Sequence, residues 1–101
     1  MPFGDFVNQI PPIGFLAIHI ALFAVAAFFA WRSFGAGAST LGAAFSLFAV
    51  AELTYMTYHL DWTTFLFAHT ISEVLNLVAF GLVFVAVSRS ILSPSAAASR
   101  A

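Results

Sequence analysis

Glu52 and Glu73 are carboxylates set inside long apolar runs, and His19 and His69 are imidazoles set in runs of the same kind. These group types support three sorts of chemistry. Hydrogen-bonded in series they relay protons or line an ion path. Through nitrogen and oxygen they ligate zinc, iron or the metal of a tetrapyrrole. Between helices they act as polar contacts, each worth only about 1 kcal/mol in a membrane. Neither an H-E-x-x-H nor a Glu-x-x-His spacing is present, so no motif singles out the metal reading.

The medium around these groups is set by composition. Of 101 residues 62% are hydrophobic and only 7% are charged, with no lysine, and the mean hydropathy is +1.04. Such a chain is too apolar for an ordinary soluble core. An ionisable group at membrane depth costs several kcal/mol unless paired or neutralised, which makes each one a candidate functional group. Without cysteine, disulfides, thiolate metal sites, iron–sulfur clusters and covalent c-type haem attachment are excluded. Three arginines form no basic patch, which argues against a nucleic-acid partner. The opening Met-Pro-Phe-Gly-Asp has no positive n-region, so the first apolar run is expected to be a retained helix and not a signal peptide.

The expected fold class is all-α integral membrane, a single domain over 1–92 with a low-complexity, flexible tail over 93–101. A transmembrane helix needs about 20 mostly apolar residues, and three runs qualify, at about 12–31, 40–59 and 62–88. Pro11 and Pro12 start the first, and Asp61 is the expected N-cap of the third. The second and third are separated by so few residues that they should form a tight antiparallel hairpin. Arg32, Arg89 and Arg100 all fall on one side of a three-span chain, which the positive-inside rule makes cytoplasmic. The N-terminus is then periplasmic and the C-terminus cytoplasmic, in a bacterial inner membrane. Trp31 marks one interface, and Tyr58 with Trp62 the other.

Counting about 1.5 Å of rise per residue from the outer interface places His19 about 10 Å deep, Glu52 about 13 Å, His69 about 12 Å and Glu73 about 18 Å. Four polar groups thus crowd around the outer half and the midplane of a hydrocarbon layer about 30 Å thick. His69 and Glu73 are i,i+4, with Ser72 and Asn76 along the same stripe. Glu52, Tyr55 and His59 make a second stripe. On a tight hairpin two polar stripes most simply face each other, so Glu52 is expected to pair with His69, Tyr55 and Ser72 to satisfy the remaining valences, and Glu52, Tyr55, His69, Ser72, Glu73 and Asn76 to form one buried polar cluster. His59 lies near the interface and reads as a surface residue. Small residues Ser39, Gly42, Ser46 and Ala49 line one face of the second helix and let a neighbour approach closely.

An enzyme is not expected: three helices leave little room for a substrate cavity, and there is no phosphate loop or serine–histidine–aspartate set. Inverted repeats and broken helices, the marks of a transporter, are also missing. The stretch Ala17-Ile-His19-Ile-Ala21 through Trp31, a membrane histidine with a downstream interfacial tryptophan, resembles antenna polypeptides. More broadly the chain is similar to small accessory subunits of the purple-bacterial reaction-centre and light-harvesting core complex, although antenna polypeptides cross the membrane once.

That resemblance implies a non-catalytic, structural role in a photosynthetic membrane complex, shaping the antenna ring or quinone passage. The implied partners are other integral membrane subunits and lipid. No cofactor of its own is implied, only contacts with bacteriochlorophyll, carotenoid or quinone. The rival reading is a small haem- or metal-binding module with His19 and His69 as ligands. A proton-pathway subunit is a third.

Overall fold

A computed structural model of the chain describes residues 3–92 and contains, among them, only helical elements. A short 3-10 helix, Asp5–Gln9, precedes three long helices: α1 (Pro12–Gly35), α2 (Ser39–His59) and α3 (Phe65–Leu92). All three are long and apolar enough to cross a membrane. The expected tail over 93–101 and Arg100 lie outside the described residues.

Helix ends follow local chemistry. Pro11 stays extended and Pro12 opens α1, where a missing N–H costs nothing. α1 runs past Trp31 to Gly35 and α3 past Ser88 to Leu92. The ends of α1 and α2 close by one device. Gly37 adopts φ 79°, its N–H donates to Phe34 C=O at 3.0 Å, and the Ala38 N–H donates to Ser33 C=O at 2.8 Å. Asp61 repeats this after α2 with φ 62°, its N–H on Tyr58 C=O at 3.0 Å and the Trp62 N–H on Thr57 C=O at 2.9 Å. This is the Schellman arrangement, with a left-handed residue just past the helix. Asp61 therefore ends α2 and does not cap α3. Thr64 takes that place: its hydroxyl accepts the Phe67 N–H at 3.4 Å and its carbonyl the Ala68 N–H at 3.1 Å.

α2 is the middle element. α1 and α3 each pack along it and do not pack on each other. Both contacts are antiparallel, since Phe34 meets Gly42 while Arg89 at the far end of α3 reaches Thr40. Both seams are built from small residues, which let backbones come close enough for dispersion to act in a solvent as apolar as the side chains. Gly42 and Ala49 are two turns apart and buried; a Cβ on Gly42 would lie 2.7 Å from the Phe34 ring, so this face belongs to α1. Ala44 and Ala51, also two turns apart, are fully buried on the α3 side with Ala68, Ser72 and Ala79. The expected small face of α2 is thus divided: Gly42 and Ala49 serve it, Ser39 is exposed, and Ser46 turns its hydroxyl to Gly42 C=O at 2.8 Å.

Candidate functional site

One stripe of α2, Phe48–Glu52–Tyr55–His59 at three- and four-residue steps, holds the polar groups that connect the three helices. Glu52 Oε2 lies 2.5 Å from His19 Nδ1 on α1, with the two side chains 16% and 15% exposed. Each group thereby gains a polar partner from the facing helix, which lowers the cost of placing it at this depth.

The rings around this pair are stacked. His19 lies on Tyr55 with centroids 5.1 Å apart and on His59 at 5.2 Å, and His59 lies on Phe15 at 5.0 Å. Tyr55 continues toward α3, its hydroxyl donating to Glu73 Oε1 at 2.6 Å. Ser72 is fully buried and donates to Ala51 C=O at 3.0 Å, so it joins backbone and not the carboxylates. Glu52–His19 ties α1 to α2, and Tyr55–Glu73 ties α2 to α3.

The structure changes three sequence expectations. Glu52 pairs with His19, not with His69. The physical reason is azimuth: Ser72 occupies the line of contact with α2, and His69, three residues earlier on α3, is left exposed and stacked on Phe65 at 5.2 Å. Glu73 is likewise exposed and not part of a buried cluster, while Asn76 is half-buried. His59 is not a surface residue; it is half-buried between Phe15 and His19. Its place four residues beyond Tyr55 was the signal for this, since one stripe cannot turn two members inward and the third away.

His19 and His69 sit on helices that do not touch, with α2 between them, so a bis-histidine site linking those two residues lacks facing helices. Among the described residues no group of three or more His, Asp or Glu side chains converges as a metal site would require. What the arrangement can do is hold one proton at Glu52–His19, accept or donate it toward a neighbouring polar group, and present Glu73 and His69 at the outer side of α3.

Fold and site together define a multi-pass helical membrane protein with a polar cluster inside the apolar zone. No protein-family model, no curated protein and no solved structure matches the chain.

Proposed function

We propose that this chain is a non-catalytic subunit of a larger membrane assembly, docked through the outer face of α3. The observation that carries this is Glu73. It is exposed at membrane depth, and among the described residues the Tyr55 hydroxyl is its only hydrogen-bonding partner. A hydroxyl does not neutralise a carboxylate, and lipid offers nothing further. His69, one turn away on α3, is exposed too. A neighbouring helix with complementary polar groups satisfies both at once. The outer helices also leave ample surface for a neighbour: only 11% of the spanning window of α1 and of α3 is buried within the chain.

The proposed setting is an energy-converting complex of a bacterial inner membrane, with the N-terminus periplasmic. Arg32 ends α1, and Arg89 donates to Thr40 Oγ1 at 3.3 Å beside the start of α2, which puts both at one membrane face and supports a cytoplasmic assignment for it. The Ala17–Trp31 stretch makes a photosynthetic core complex the first host to examine.

Mild extraction of native membranes, native size separation and an absorption spectrum of the band test this. The expected result is co-migration with a much larger complex, lost on replacing His69 and Glu73 together by leucine. A band of the chain's own size from unmodified membranes would overturn the subunit reading. A large but colourless band would overturn only the photosynthetic host.

A proton-pathway role is the second reading, supported by the close sequence of His59, His19–Glu52 and Tyr55–Glu73 across three helices. Glu52→Gln separates the two readings, because it keeps hydrogen bonding and assembly but removes the ionisable carboxyl.

A further inference from the structure

On the side of Glu52 facing the Ser39 end of α2, side chains of α1 and α2 leave an open surface groove of about 210 Å3. Leu22, Val25 and Phe29 of α1 and Phe45 and Phe48 of α2 line it, and the only ionisable group in its wall is Glu52 at its head. From the structure we infer that this groove binds a neutral amphiphile: an apolar chain or ring bearing a single hydroxyl, with the hydroxyl held by the Glu52–His19 pair.

Three observations select this class of ligand. Glu52 uses Oε2 for His19, and among the described residues Oε1 takes no protein hydrogen bond, so the carboxyl offers an acceptor at the groove head. A hydroxyl can donate to that oxygen and still accept from a neighbouring N–H or O–H. Depth is the second. Glu52 lies two turns inside the His59 end of α2, about 10 Å, and the groove runs about 10 Å further from Glu52 to Phe45. A phospholipid keeps its charged head at the interface and cannot bring it to this level without the penalty that isolated charges meet there. A hydroxyl already bonded to a carboxyl meets little of it. The third is the wall: Phe29 and Phe45 rings lie 5.5 Å apart, and Phe48 is braced edge-on by Phe80 of α3 at 5.1 Å. Aromatic faces from both helices give an apolar chain or ring a surface to lie against.

The full chain in lipid nanodiscs is the object to test, and the probe is a long-chain alcohol with a diazirine in its chain. Irradiation and mass spectrometric mapping are expected to place adducts on Val25, Phe29 and Phe48 at least about fivefold above those on the lipid-facing Val78 and Val85 of α3. Unlabelled alcohol is expected to compete about tenfold better than its methyl ether, the loss that goes with one hydrogen bond to a charged or shared-proton acceptor. Isoprenoid alcohol, sterol and alkylphenol as rival competitors then tell apart the natural sources of the hydroxyl. Leu22→Trp fills the groove while retaining both His19 and Glu52 and should abolish the preference; Val25→Phe serves the same purpose if the tryptophan variant does not insert. Adducts spread evenly over all lipid-facing residues, or equal competition by alcohol and ether, would overturn the inference. None of these outcomes depends on the His69–Glu73 face, so assembly stands or falls separately.

Discussion

Two carboxylates of the same type at comparable depth meet different fates. Glu52 is hydrogen-bonded to His19, so replacing one partner strands the other, whereas replacing both leaves a plain apolar contact. A double-mutant cycle of His19→Leu and Glu52→Leu in detergent should therefore show a coupling of about 1 kcal/mol, read from denaturant midpoints. Additive effects would mean the bond contributes nothing. Tyr55→Phe keeps the stack on His19 and removes only the hydroxyl on Glu73, with an expected loss of about 1 kcal/mol that vanishes when Glu73 is already leucine. That His19 and Glu52 lie near one level, with Glu73 not far below, was legible in their positions, because helical rise is nearly constant. Which imidazole Glu52 takes was not. Depth is one coordinate, and pairing also needs the direction in which each helix turns its side chains.

The helices themselves depend on a few backbone positions. Asp61 has a left-handed backbone, a conformation that L residues with a branched Cβ resist and aspartate tolerates. Asp61→Gly should leave the stability of the α2–α3 hairpin unchanged or slightly raised, while Asp61→Val should lower it by about 1–2 kcal/mol, measurable as a shift in the thermal midpoint in micelles. Equal behaviour of the two variants would show that the turn relaxes instead of straining. Asp61 illustrates a limit of reading ends from residue type. Aspartate suits both a helix start and a left-handed helix stop, and only the turn's hydrogen bonds, Asp61 to Tyr58 and Trp62 to Thr57, distinguish the two. Length and hydropathy did mark the spans, since about 20 mostly apolar residues are what a helix needs to cross a bilayer.

At the scale of the molecule, α2 separates α1 from α3, and this order decides every contact. Cysteines at 51 and 72 should form a disulfide readily, because Ser72 already reaches the Ala51 carbonyl at 3.0 Å. A pair at 19 and 69 should form none within one chain, and its formation would show that α1 and α3 meet. Composition, span length and the placement of Arg32, Arg89 and the aromatic residues were enough to define a three-helix membrane protein with polar groups at one level, because the cost of bare polar groups in lipid leaves few alternatives. The tertiary structure alone decided the partners. Small residues on two faces of α2 let α1 and α3 approach from different sides, and that arrangement gave Glu52 to His19, Tyr55 to Glu73 and Ser72 to backbone. Side-chain periodicity says which residues share a face, but which face meets which helix is set by packing between segments far apart in the chain.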